Sequence, residues 1–387
     1  MVDTNRGHVL IAGTTTRALA VSAARAGYRV TAIDAFGDRD LRAVAEVILA
    51  RPKPGRNYSP LTAAAAGARI PAELVAYTSN FENYPHAVAR LSEGRRLLGN
   101  PPDVLERVRN PIELMRALRR HGLPSPESRA GAPAAGPGRG SWLLKPRRSG
   151  GGHGVRVWRR GDSVSRSRYL QRRIIGIPGS IIFAANGSTA VMLGFSRQLV
   201  AEPHLGAKGF RYCGSILGTL QTALFPRQQE LLRTAGVVAG VLTREFELTG
   251  INGIDFIARD GVPYPIEVNP RYSASMELVE RGQGISIFEV HAQACHGVLS
   301  AVPAPGVMVQ GKAIVFARQD VRIGHSPQWG ADRWIADIPH AGERIPRSRP
   351  ICTVFAEAGN PNACRRLLAR RAGAVYRALE SRQGCAA

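Results

Sequence analysis

Residues 250–271, "GINGIDFIARDGVPYPIEVNPR", read as a β-hairpin whose two faces differ in character. Asp260-Gly261 is a turn signal between two apolar runs. Side chains alternate across a strand, so Ile254 and Phe256 are expected on one face with Tyr264, Ile266 and Val268. Asp255 then shares the other face with Glu267 and Asn269, and a loop of Asp260-Gly261-Val262 sets Asp255 directly opposite Glu267. Two facing carboxylates repel, and an apolar hairpin needs a cation to hold them together. Adding the Asn269 carbonyl gives an all-oxygen set suited to Mg²⁺ (or Mn²⁺) rather than zinc. So sparse a set leaves coordination positions for phosphate oxygens. Arg271, just past the strand, offers a guanidinium fork for a phosphoryl group.

Upstream, "SWLLKPRRSGGGHGVRVW" (141–158) reads as a strand ending in Lys145, then a loop with Gly150, Gly151, Gly152 and Gly154, then another strand. Glycines remove the side chains that would stop backbone N–H groups from closing around phosphates. No GK[ST] opens a helix here, so this is not a Walker A loop. Next, "RYLQRRIIGIPGSIIFAANG" (168–187) passes from a strand through a Gly/Pro connection into a new strand, as a hinge between two lobes would. An adenine fits against Leu170 and Ile174 there.

The chain opens with "HVLIAGTTTRALAVSAARAGYRVTAID", expected to be strand 8–12, helix 17–26 and strand 28–33, the start of a parallel βαβ unit. Its Gly13-Thr14-Thr15-Thr16 turn lacks the later glycines of the dinucleotide fingerprint. "LVAYTSNFEN" (74–83) supplies another strand end followed by polar loop residues, placed to face a substrate. Helical spacing runs from Val104 through Leu118 and stops at Gly122 and Pro124, and a Gly/Pro/Ala-rich connection follows at 129–140. A helix is expected at 226–247, strands in "GKAIVFARQD", "RWIADIP" and "ICTVFAEA", and an Arg-rich helix at 361–382.

At 387 residues two or three domains are expected. No apolar run is long enough to span a bilayer, and the start lacks the layout of a signal peptide, so the expected location is cytoplasmic with no membrane partner. Five singly placed cysteines (213, 295, 352, 364, 385) indicate neither a disulfide framework nor a zinc site. The net charge of +23 comes from arginines spread along the whole chain, while lysine occurs only at 53, 145, 208 and 312. That bias reads as codon pressure in a G+C-rich genome, and a nucleic-acid partner is not expected. A surviving lysine marks a place where a compact ammonium is needed. Lys208 and Arg211, in "AKGFRYCGS", are basic positions that could hold an acidic substrate, though surface charge explains them as well.

A lysine at a strand end, a glycine flap, a hinge and then D…ExN-P-R, in this order, resembles the ATP-grasp superfamily over about residues 100–300. The resemblance implies a mixed α/β and α+β architecture. An N-terminal Rossmann-like (pre-ATP-grasp) domain would occupy 1–100, a two-lobe ATP-grasp nucleotide-binding and catalytic domain 101–300, and a small C-terminal β-rich segment with a terminal helix 301–387. It implies Lys145 on the α/β-phosphates of ATP, Gly150, Gly151 and Gly152 as the flap, and Leu170, Gln171, Arg172 and Ile174 along the adenine. Asp255, Glu267 and Asn269 would be the metal ligands, with Lys145 and Arg271 as the catalytic cations. Two positions depart from the pattern. "VRNP" offers Arg109 and Asn110 where many members have Asp-Lys, so Arg109 becomes the candidate phosphate contact, and Arg172 stands where a hinge glutamate is common.

The activity implied is an ATP- and Mg²⁺-dependent carboxylate–amine ligase, forming ADP through an acyl phosphate on small-molecule acid and amine substrates. "GINGIDFI…YPIEVNPRYSASMELVE" with "GIPGS" is most similar to the carboligase-like branch, which includes the tyramine–glutamate ligases of methanofuran-type one-carbon cofactor assembly. Two other readings stay open: a bicarbonate-activating carboxylase, and a nucleotide-binding protein without turnover.

Overall fold

The computed structural model describes residues 6–50, 58–131, 141–219, 221–300, 306–324, 329 and 333–380. Lys53, Cys385, the end of the expected last helix and most of the 129–140 connection lie outside the described residues.

The N-terminal part is a parallel sheet with α-helices. Strands β1 (His8–Ala12), β2 (Arg29–Asp34), β3 (Glu46–Leu49), β4 (Leu74–Tyr77) and β5 (Arg96–Leu98) lie in the order β3-β2-β1-β4-β5. Strand order reverses between β1 and β4, and the loops after these two strands open a crevice at their carboxyl ends. Gly13 brings those loops together: a Cβ there would fall 1.8 Å from Thr78 Oγ1. Asp34 fixes the turn into helix Arg17–Arg25, one carboxylate oxygen accepting from Thr16 N–H (2.7 Å) and Oγ1–H (2.8 Å) and the other from Phe36 and Gly37 N–H.

The stretch with one continuous helical spacing forms two helices, Pro102–Val108 and Pro111–Arg120. Pro111 restricts Asn110 to extended backbone and supplies no N–H, so the helix stops and restarts. The Asn110 side chain caps the second helix by accepting from Ile112 N–H.

A small four-stranded antiparallel lobe follows: β6 (Ser128–Arg129), β7 (Trp142–Pro146), β8 (Arg156–Val157) and β9 (Arg168–Arg172), in the order β6-β9-β7-β8. The large lobe is an eight-stranded antiparallel sheet. It contains β10 (Ile177–Asn186), β11 (Ala190–Val200), β12 (Tyr212–Leu217), β13 (Thr249–Arg259), β14 (Val262–Asn269), β15 (Val309–Phe316), β17 (Ile335–Ala336) and β19 (Pro350–Ala358). The short strands β16 (Val321–Arg322) and β18 (Arg344–Ile345) pair separately. The sheet order is β14-β13-β10-β11-β12-β15-β19-β17, so the boundary proposed at 300 falls inside one continuous sheet.

Alternation sorts the two faces. Ile181, Phe183 and Ala185 share a core with helices Gln228–Phe246 and Pro361–Glu380, while Ile182 and Ala184 belong to the core with helices Met276–Gln283 and Ile287–Cys295 and the N-terminal helix. The N-terminal sheet thereby docks on the large lobe, and the small lobe stands over the β13–β14 hairpin. Among the described residues no helix is long and apolar enough to cross a membrane.

Candidate active site

The β13–β14 hairpin pairs Asp255 with Glu267 and Gly253 with Asn269. The expected partners meet by a different route, however. The turn is two residues, Asp260 (φ 52°) and Gly261 (φ 79°), since Arg259 pairs with Val262. A β-bulge at Ile266 then adds the residue that restores the Asp255–Glu267 register. The bulge also shifts the faces. Pro263, Pro265 and Val268 are buried opposite Ala258, Phe256 and Ile254, where unbroken alternation had put Tyr264 and Ile266. Ile266 lines the cleft instead.

That cleft has a volume of about 1030 Å³ and runs between the two lobes to the carboxyl ends of β1 and β4. At its centre, Asp255 accepts from the side-chain amides of Gln198 (2.9 Å) and Asn269 (3.1 Å). Burial and the charge on Glu267 push its carboxyl up to about 6. Burial would raise Glu267 as well, but the charges on Arg109 and Lys145 outweigh it and hold Glu267 below its ordinary value. Arg109 leaves the helix break to reach this corner. It donates to Glu267 Oε1 (2.6 Å), the Val268 carbonyl (2.8 Å), Asn83 Oδ1 (2.9 Å) and the Ser149 carbonyl at the foot of the flap (3.2 Å). Asn110, capping its helix, is not in the lining.

The donor set suits a hard cation. Among the described residues no group of three or more His, Cys, Asp and Glu side chains is placed to hold a metal. The carboxylate pair therefore carries the charge, with Asn269 as neutral companion. Here Asn269 donates to Asp255 and turns its oxygen to Arg271 (3.3 Å), so that oxygen would join a cation only after the amide rotates. Two half-buried carboxylates, one of them bonded to neutral groups, fit Mg²⁺.

Lys145 is buried beside this pair. Its ammonium donates to Gln171 Oε1 (3.1 Å), lies 3.5 Å from the Ile266 carbonyl and stands 5.7 Å from the Tyr169 ring centre. Gly150, Gly151 and Gly152 roof the cleft. The Gly151 carbonyl accepts from Tyr212 N–H (3.1 Å), and Gly152 (φ 76°) lies so close to the large lobe that a Cβ would meet the Phe210 carbonyl oxygen at 1.8 Å. Only glycine fits there. At the hinge, Gln171, Arg172 and Ile174 line an apolar slot with Leu143, Ile257 and Ile266. Leu170 does not. Strand alternation sends it to the opposite face, into the small-lobe core with Trp142, Leu144 and Trp158, which corrects its expected place beside the adenine. Lys208 is exposed, and Arg211 donates to the Ser348 carbonyl and contacts His153; neither lines the cleft.

The far end was not read from the sequence in this detail. Thr14, Thr15, Thr78, Ser79 and Glu82 meet Arg271, Tyr272, Ser273 and Ser275. Arg271, expected as a free phosphoryl fork, donates to Glu82 Oε1 (2.7 Å) and the Tyr272 carbonyl (2.8 Å). Behind this chamber Arg17 pairs with Glu277 and with Asp337 (2.8 Å), and Lys312 pairs with Glu277 (2.6 Å). Asp255 and Glu267 lie close in sequence and were legible. Glu82, Arg17 and Lys312 come from separate segments of the chain, and the signal available for Glu82 was a polar run, "TSNFEN", after a strand.

Residues 108–275 match the family model described as the ATP-grasp domain. An uncharacterized protein of Methanocaldococcus jannaschii is 28% identical over 120 residues, which is 31% of this chain and only 29% of that protein's length. Among solved structures, the ADP complex of purK, an N5-carboxyaminoimidazole ribonucleotide synthetase, is similar at a TM-score of 0.70 and 18% identity, covering 97% of this chain and 98% of that one. An L-amino acid ligase from Bacillus licheniformis gives 0.68 at 15% identity, covering 95% and 97%. The biotin carboxylase domain of the Hydrogenobacter thermophilus 2-oxoglutarate carboxylase, solved with MgADP and bicarbonate, gives 0.70 at 15%, covering 92% and 86%. The chain has the ATP-grasp fold, with the family-model match confined to residues 108–275.

Proposed function

We propose that the chain is an ATP-dependent carboxylate–amine ligase. The observation that carries this reading is the facing Asp255–Glu267 pair beside the Lys145 ammonium, under a glycine flap, in a cleft continuous with a polar chamber ending on Arg271. The cleft, at about 1030 Å³, has room for a nucleotide and a second substrate. The adenine would lie in the hinge slot against Ile174, with Gln171 and Arg172 at its edge; Lys145 and the N–H groups of Gly150–Gly152 would hold the phosphates. Asp255, Glu267 and Asn269 would hold Mg²⁺ or Mn²⁺, which neutralises phosphate charge when bound.

The chemistry follows from that order. A carboxylate oxygen of the acid attacks the γ-phosphorus of ATP, the bond to the β-phosphate oxygen breaks, and ADP leaves. The amine nitrogen then attacks the acyl carbon, the carbon–oxygen bond to phosphate breaks, and an amide and inorganic phosphate form. Arg109 and Lys145 balance the charge, and the flap, seated on Tyr212, excludes the water that would hydrolyse the activated acyl group.

The finer reading, a carboligase-like ligase of one-carbon cofactor assembly joining glutamate to an aromatic amine, rests on the residue-level resemblance of "GINGIDFI" through "MELVE". The similarity to carboxylase structures supports bicarbonate activation as the second reading. A phosphate-release screen separates them: Mg²⁺-ATP with panels of acids and amines, tyramine and glutamate included, and with bicarbonate alone. The ligase reading expects ADP only when acid and amine are both present or the acid is trapped. Turnover on bicarbonate alone selects the carboxylase, and ATP binding without turnover on any arm selects a binding protein.

A further inference from the structure

The Arg271–Glu82 ion pair of the cleft leaves one polar atom of each partner unused. Arg271 and Glu82 share one hydrogen bond, Nη2 to Oε1 at 2.7 Å. Among the described residues, Arg271 Nε and Glu82 Oε2 have no hydrogen-bonding partner, although Arg271 is 9% exposed and Glu82 only 1%. A side-on pair would have used both. Leaving a buried donor or acceptor unsatisfied costs about 1–3 kcal/mol, more for a charged group, so two such atoms on one pair call for a ligand that satisfies both. The Tyr272 hydroxyl and Ser273 Oγ are also buried without partners, and all four residues line the cleft.

The two unused atoms differ in sign. Arg271 Nε–H asks for an anionic or carbonyl oxygen; Glu82 Oε2 asks for an N–H, best a cationic one. Arg271 is two residues from Asn269 on the hairpin, next to the phosphate end of the cleft, whereas Glu82 belongs to the N-terminal part, on the short helix Phe81–Asn83. The oxygen expected on Arg271 is therefore that of the acyl group being activated, and the nitrogen expected on Glu82 is that of the group arriving to attack it.

We infer that Glu82 receives the acceptor amine: it binds the ammonium form through Oε2 and takes its proton while Arg271 Nε holds the acyl oxygen. This rests on the ligase reading and names a residue for its second half-reaction. The balance is simple. R–NH3⁺ gives one proton to Glu82 Oε2, the freed lone pair forms the N–C bond, the C–O bond to phosphate breaks with its electrons leaving on phosphate, and the second nitrogen proton passes to the departing phosphate, leaving a neutral amide. The acceptor class is a primary amine that is protonated at neutral pH.

The test splits the half-reactions. Hydroxylamine is largely unprotonated at pH 7.5 and intercepts an activated acyl group without needing a base, whereas ammonium ion and methylammonium must each lose a proton. With Mg²⁺-ATP and the acid panel of the screen, the wild-type chain should form both hydroxamate and amide. Glu82→Gln should keep hydroxamate formation within about threefold and lose amide formation by about 10²-fold or more in kcat/KM for the ammonium acceptors. The companion Glu82→Asp keeps the charge but withdraws it by one methylene, and should fall between the two. Thermal denaturation reports whether each variant folds. Equal loss of both products, or no selective loss of amide, overturns the assignment. Absence of both products with the wild-type chain across the panel overturns the ligase reading itself, and the assignment with it.

Discussion

Two clusters of buried charge border the same cleft and follow opposite plans. Behind the chamber, Arg17 and Lys312 face Glu277 and Asp337, with Asp40 also 3.5 Å from Arg17, and each charge is within direct reach of an opposite partner. In the cleft, Asp255 is bonded to two neutral amides, Glu267 shares its cation with a backbone carbonyl, and the Arg271–Glu82 pair leaves two polar atoms unused. The first cluster ties helix Arg17–Arg25 to helix Met276–Gln283 and to β15, so it clamps the N-terminal part to the large lobe. The second is left electrostatically unfinished. Burial alone does not mark an active site; buried charge that the protein itself does not satisfy does.

This contrast yields predictions that act on one cluster and spare the other. Glu267→Gln should lower ADP release about 10³-fold while thermal denaturation shows a folded protein; unchanged turnover would remove Glu267 from the site. Glu277→Gln should act on stability instead, costing about 3 kcal/mol in urea titrations at pH 7 because it takes the carboxylate partner from buried Lys312 and one of the carboxylates from Arg17. Its pH dependence has a definite sign. Burial opposes ionisation of Glu277, but Arg17 and Lys312 outweigh it and bring the carboxyl down to about 2. The stabilisation it gives is complete above the ordinary glutamate value and is lost as pH falls toward 2, so wild type and variant should converge in acid.

Asp255→Asn should do what an active-site substitution rarely does and stabilise the metal-free protein, by about 2–3 kcal/mol above pH 6. As pH rises from about 4 to about 6 the unfolded chain releases the Asp255 proton while the folded protein retains it, so native stability drops across that window. Urea titrations without Mg²⁺ at pH 4 and pH 7 read this directly, and a destabilised variant at pH 7 would contradict it. The smallest effect is expected at Lys145→Ala: KM for ATP should rise about 10- to 100-fold, as for loss of one charged hydrogen bond, and indifference would take Lys145 off the phosphates.

What the sequence revealed follows the same division. The hairpin's pairing was legible because carboxylates, amide and arginine fall within 17 residues of one another. Its bulge was not, because Pro263 and Pro265 sit where an alternating strand looks intact, and the shorter turn offset the extra residue. The helix break at Pro111 was hidden beneath unbroken apolar spacing, yet it is what delivers Arg109 to Glu267. Leu170 was misplaced because one residue of strand register decides which face it takes. The clamp was out of reach, since its charges are drawn together only by the tertiary fold. Scarcity of lysine did not by itself pick out sites: Lys145 borders the cleft and Lys312 anchors the clamp, but Lys208 is exposed and outside the cleft.

The interior position of β15 bears on how the molecule is made. Val309–Phe316 lies between β12 and β19, so the large sheet cannot be completed until residues beyond 350 have left the ribosome. Until β15 emerges, β12 exposes an unpaired edge and the Arg17–Glu277 pair lacks its lysine, and until β19 emerges the open edge is that of β15. A nascent chain therefore holds the residues proposed to face the nucleotide well before it can close the walls around them, and C-terminal truncations that stop short of β19 should accumulate as insoluble protein rather than as weakened enzyme.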